Sequence, residues 1–192
     1  MIKGFTLLVI AFWLSLAHSA DICESSNGIK TPYGKFTKTH CSDDANSDKN
    51  REWVSLNEIK ILQDRRLIVE SFNKVKGIFI YNSSDLNDYQ IGCDQGLYLI
   101  DLSFTPPKVI QFGVKNACNE FDWASWGDKG SVIALKKDVR FTYKDGKIIP
   151  PKDMEHMWSS MVIPVPRGKT SADQPYPNYI IPYAKEIPLP QK

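Results

Sequence analysis

Apolar and β-branched residues gather in seven short runs, at 59–62, 67–72, 78–81, 97–102, 109–114, 132–136 and 139–144. Runs of that length, rich in Ile, Val, Leu, Phe and Tyr, read as strands, because a helix of useful length would space its apolar positions at three and four residues. Turn chemistry separates them. Asp64-Arg65-Arg66, residues 73–77 and 82–88, Thr105-Pro106-Pro107 and Asp128-Lys129-Gly130 all break the pattern, and Asp145-Gly146 is a two-residue hairpin signal. Val139, Phe141 and Tyr143 alternate with Arg140, Thr142 and Lys144, so one face of that strand is expected in a core and the other in water. The pattern predicts a mostly β domain, an antiparallel meander forming a sandwich or an open barrel, with a small propeller-like arrangement also compatible with the spacing. No internal sequence repeat accompanies it.

The ends of the chain depart from this pattern. Lys3 followed by the apolar run 5–16 and the small residues Ala17, Ser19 and Ala20 reads as a cleavable secretory signal over 1–20, leaving a mature chain of roughly 173 residues. That suits one domain, 21–149, plus an appendage. Residues 42–52 are polar apart from Ala45 and read as an exposed loop. After Gly146 prolines dominate: nine of the twelve lie between Pro150 and Pro190, so 150–192 is expected to run extended over the surface and to supply no central strand. Within that tail, 151–161 is the one helix candidate. Pro151 opens it, Asp153 and Glu155 suit its first turn, and Met154, Met157, Trp158 and Met161 fall on one face.

Charge narrows the partners. The chain carries +2 at pH 7, falling to +1 once Lys3 leaves with the signal, and its basic residues are interleaved with acids. Neither nucleic acid nor an anionic membrane surface is expected to be a partner. No second stretch approaches the roughly 20 apolar residues of a membrane helix. The expected location is secreted, periplasmic if the source is bacterial. Cys23, Cys41, Cys93 and Cys118 form an even set in an exported chain and lack C-x-x-C spacing, which favours two disulfides over a metal site. Four cysteines allow three pairings, of which locality favours Cys23 with Cys41 and Cys93 with Cys118.

Candidate chemistry is sparse. The Met154, Met157, Trp158 and Met161 face suits a protein partner or a cap on the β-domain, since thioethers and indole adapt to either. Phe121, Trp123 and Trp126 stand among Glu120, Asp122 and Asp128. Aromatic rings beside carboxylates can stack on a sugar, anchor a partner, or pack in a core. Asp44, Asn46 and Asp48 alternate like calcium ligands, but Lys49 and Ser55 occupy the positions where a calcium loop needs Gly and Glu. His40 and His156 are the only mature histidines, and neither belongs to a nucleophile elbow or an H-E-x-x-H zinc motif. No catalytic residue, metal or cofactor is therefore assigned. Asn82-Ser83-Ser84 is formally a glycosylation acceptor.

Thr31-Pro32-Tyr33-Gly34, Gly92-Cys93 and Ala117-Cys118, with the short strands around them, resemble small exported proteins of Gram-negative bacteria over residues 28–149. The resemblance implies a β-rich periplasmic domain and no particular activity. The Cys23 and Cys41 pair, the tryptophan-rich segment and the proline-rich tail depart from it. Three functions are compatible with these features. The leading expectation is a non-enzymatic protein-binding module of inhibitor or immunity type, with another envelope or secreted protein as partner. The others are an envelope glycan or ligand binder or hydrolase using Trp123 and Trp126, and a structural or assembly component using the proline-rich tail.

Overall fold

The computed structural model describes residues 22–42, 51–83, 96–115, 119–151 and 181–190. Among these residues fourteen strands form three antiparallel sheets. The first contains β1 (Ile22–Ser25), β2 (Ile29–Thr31), β3 (Gly34–Ser42), β4 (Arg51–Leu56) and β5 (Ile59–Asp64), with β1 and β2 sharing one edge of β3. The central sheet runs β6 (Leu67–Asn73), β7 (Ile78–Ser83), β8 (Gly96–Asp101), β9 (Lys108–Lys115) and finally β14 (Ile181–Ile187). The third consists of β10 (Phe121–Trp126), β11 (Ser131–Leu135), β12 (Val139–Lys144) and β13 (Lys147–Ile149). Among the described residues no helix is long and apolar enough to cross a membrane. Apart from Pro151, the helix expected at 151–161, with Met154, Met157, Trp158 and Met161, lies outside the described residues, as do Cys93 and Cys118.

The central sheet has a core on each face, and this explains its sequence. Ile78, Ile80, Leu97, Leu99, Ile110 and Phe112 meet Ile133, Leu135, Phe141 and Tyr143 of the third sheet. Phe79, Tyr81, Ile100 and Val109 meet Phe36, Val54, Ile61 and Leu62 of the first. Successive strand residues point to opposite faces, so a strand buried on both sides reads as an unbroken apolar run, as Ile78-Phe79-Ile80-Tyr81 does. Strand β12 is covered on one face only and keeps the strict buried-exposed alternation expected of it. The result is sandwich-like, with two interfaces sharing one sheet.

Local signals fix several joints. Asp145 and Gly146 have φ of 51° and 70°, the positive pair that a type I′ hairpin between β12 and β13 requires. The φ at Gly146 favours glycine, and a Cβ there would also collide with the Phe104 ring. Cys23 and Cys41 face each other directly across β1 and β3 and are joined by a disulfide, with their Cα atoms 4.1 Å apart. The interface between the central and third sheets is tied by buried polar contacts as well. Tyr143 of β12 donates its hydroxyl to Asp101 Oδ2 of β8, while Asp101 Oδ1 accepts from the Ser103 amide at 2.8 Å and hydroxyl at 2.6 Å.

Two expectations are revised. The polar segment 42–52 does not end as exposed loop, because Arg51 and Glu52 begin β4 and Glu52 is buried. Asn82 sits inside β7 at 5% exposure and donates from Nδ2 to Glu70 Oε1 at 3.0 Å, so in the folded protein it is closed to glycosylation.

The phenol of Tyr98 yields a pH-dependent prediction. Burial first, then the charge and hydrogen bond of Asp64, then Tyr183 push Tyr98 up to about 12. An unfolded tyrosine ionises near pH 10. The folded state therefore holds its proton longer, and this contribution to stability is complete below about pH 10 and lost as pH rises toward about 12. Urea unfolding at about pH 9 and about pH 11 should show a loss that Tyr98→Phe makes smaller; an equal loss in both proteins would remove Tyr98 from the account.

Candidate protein-binding edge

The segment Leu67 to Asn73 places a strongly apolar strand at the end of the central sheet, where only one side of its backbone can be satisfied by β7. Among the described residues no strand pairs with the outer side of β6. A bulge between Val69 and Ser71 inserts Glu70 into the ladder. Directly opposed residues share a face. Val69, opposite Tyr81, and Phe72, opposite Phe79, are therefore on the side of the first sheet, and Ile68, opposite Asn82, on the other.

Four of the eight large hydrophobic side chains exposed among the described residues lie in this one region: Ile68, Val69, Phe72 and, in the turn beyond, Val75. Such a concentration differs from the scattered exposed apolar residues of ordinary surfaces. Phe72 is half exposed and is the outer member of an aromatic column. Its ring stacks on Phe79 at 6.0 Å, and Phe79 stacks on Phe36 at 4.2 Å, so the exposed ring rests on an immobile base. Tyr33 adds another exposed ring, packed over Gly77, where a Cβ would collide with it.

Charged groups bound the open edge at both ends. At its start the Leu67 amide donates to Glu52 Oε2 at 2.5 Å and the Leu67 carbonyl accepts from Lys38 Nζ at 2.5 Å. Lys38 and Glu52 are themselves paired at 2.7 Å, and His40 Nδ1 lies 3.3 Å from Glu52 Oε1. The pair acts as a substitute strand for one residue, which is how a charged side chain can block pairing locally. The carboxylate, desolvated by its position, also helps hold the phenol of buried Tyr81 above its ordinary range, after burial itself. At the far end Asn73 Oδ1 accepts from the Val75 and Lys76 amides, closing the turn that leaves Val75 outward. Lys76 then donates to the Gly127 carbonyl at 2.5 Å and to Asp128 at 3.0 Å, linking the turn to the third sheet.

The aromatic segment singled out in the sequence is a strand, β10, at the edge of the third sheet. Its register places Ala124 and Trp126 toward the core, with Phe121 beside them, while the irregularity between Phe121 and Trp123 turns Trp123 outward. Trp123 and Trp126 thus stand on opposite faces. The exposed Trp123 lies beneath the Arg140 guanidinium at 5.9 Å, and Arg140 is held by Asp138 at 2.6 Å. Asp122 is exposed and Asp128 is occupied by Lys76. Among the described residues no group of three or more His, Cys, Asp or Glu is arranged to hold a metal.

Sequence reasoning identified β6 as a strand but not as an edge. The available signal was Ile68-Val69 side by side with Phe72, bracketed by Arg65-Arg66 and by Lys74 and Lys76, since flanking positive charge is how natural edge strands are guarded. Glu52, Lys38 and His40 carried no local signal. The chain matches no protein-family model, no curated protein and no solved structure.

Proposed function

We propose that this chain is an exported, non-enzymatic protein-binding module, of inhibitor or immunity type, which captures an extended segment of another envelope or secreted protein along β6. The observation that carries this reading is the outer edge of β6, which no strand pairs among the described residues, with Val69 and Phe72 exposed on one face and Ile68 on the other. Strand addition gains affinity from main-chain hydrogen bonds and specificity from alternate side chains. Half-buried Phe72 supplies a rigid aromatic anchor of the kind that dominates interface energies. Exposed Arg65 and Arg66 before the strand and Lys74 after it favour a partner segment that is apolar at its centre and acidic at its ends.

The test compares affinity capture from cell-envelope extract by the oxidised mature protein and by Val69→Lys, which places a charge on an already exposed position. Its stability should stay within about 0.5 kcal/mol of the parent. The parent is expected to retain a stoichiometric partner, and the variant to bind the purified partner about thirtyfold more weakly, the equivalent of roughly 2 kcal/mol. A partner held equally by both proteins would rule out β6 as its seat.

A further inference from the structure

The face of the first sheet turned away from its core carries a second constellation, independent of β6. Register places Cys23, Cys41 and Arg51 in one row across β1, β3 and β4. Ser25, Thr39, Trp53 and Gln63 form the next row, from β1 to β5. Lys60 joins them from β5, opposite Ser55. Neither row contains an acidic residue, while Glu24, Glu52 and Asp64 alternate onto the opposite face. Pairing strands by period two has therefore sorted the charges, with the cations Arg51 and Lys60 on the outside.

A cavity of about 290 Å³ opens over these rows, with the disulfide, Arg51, Trp53, Lys60 and Gln63 in its lining. That is roughly ten times the 30 Å³ share of one water, enough for a small organic molecule. Lys60 Nζ is held in place, 4.3 Å over the Trp53 ring and donating to Gln63 Oε1 at 2.8 Å. An ammonium has three N–H groups, so Lys60 keeps donors for a ligand. Accepting from Lys60 leaves the Gln63 amide nitrogen able to donate too. The Arg51 guanidinium has no ion-pair or hydrogen-bond partner among the described residues, and its planar fork matches the two oxygens of a carboxylate or the edge of a phosphate. The disulfide and the indole supply an apolar wall for the remainder of the molecule.

From this convergence of donors on an aromatic wall we infer that the outer face of the first sheet is a binding site for a small oxyanion, with Arg51 and Lys60 as its charge anchors and Trp53 as its wall. The two sources of such a group, an organic carboxylate and a phosphate, differ in shape, and the experiment separates them. Calorimetric titration of the full oxidised protein with succinate and, separately, with inorganic phosphate should give saturable binding of one or both below about 10 mM. Arg51→Ala and Lys60→Met should each weaken it by about tenfold, while the circular dichroism of both variants matches the parent. Chemical shifts assigned through Trp53→Phe should place the ligand at the Trp53 indole. Absence of saturable binding by both probes, or binding that survives both substitutions, would overturn the site. Neither result bears on β6, whose variant leaves this face untouched.

Discussion

Replacing Phe79 with alanine is expected to destabilise the protein by about 3–5 kcal/mol, measured as the loss of unfolding free energy in urea at unchanged slope. Phe79 has no exposed surface and its ring is stacked on both sides, by Phe36 at 4.2 Å and by Phe72 at 6.0 Å. Truncation removes the transfer energy of the ring and also leaves a void whose walls come from two different sheets, which cannot collapse together without moving their backbones. The loss is a large share of the 5–15 kcal/mol typical of a whole domain. Phe72→Ala is the internal comparison. Its ring is half exposed, so removal should cost about 1 kcal/mol, and equal losses at the two positions would mean that Phe79 does not join the sheets.

The same column shows what the sequence could disclose. Residues 78–81 read as a strand because of their composition, and β7 is that strand. Periodicity could not reveal that it is central, since an unbroken apolar run is shared by buried strands of several architectures. Strand β3 was illegible for the opposite reason. In Gly34–Ser42 the side facing the core presents Phe36 and then Lys38 and His40, and the other side presents threonines and Cys41, so the apolar signal is one residue deep. It is a strand because it is paired on both sides, a property of the sheet and not of its own residues.

The tail and the aromatic segment were obscured by edge effects. Pro182 stands opposite Val114 inside β14, which is possible because β14 is the outer strand of its sheet, where one proline need not break the ladder. Ala184, Ile187 and Leu189 pack on the two cores, so the end of the proline-rich tail is part of the domain. Trp123 and Trp126 looked like one platform because they are three residues apart, and three residues along a regular strand already reverse the face. The irregularity lies before Trp123 and is what leaves Phe121 inward with Trp126. Composition cannot signal a bulge of this kind, and the aromatic-carboxylate pattern stayed ambiguous until the register was known.

Glu52→Gln is expected to cost about 3 kcal/mol, although the change is nearly isosteric. The Glu52 carboxylate accepts from the Leu67 amide and faces Lys38 and His40, three groups that offer it N–H donors or positive charge. A glutamine can keep one of these contacts, but its own NH₂ must then meet a donor, and Lys38 loses its anion. Removing one member of a buried pair typically costs about 3–5 kcal/mol; the Lys38 side chain is 35% exposed and can reach water, which places this case at the lower end. Lys38→Met completes the cycle. Because both residues grip the backbone of the same residue, Leu67, and pair with each other, their effects should be coupled by about 1–3 kcal/mol, whereas independent surface charges would add. A second readout follows from where the pair sits. Without it the Leu67 amide and carbonyl join the open edge of β6, and sedimentation should show Glu52→Gln associating with rising concentration where the parent does so less. Glu52→Gln with unchanged urea midpoint and unchanged sedimentation would show that the pair neither supports the fold nor guards its edge.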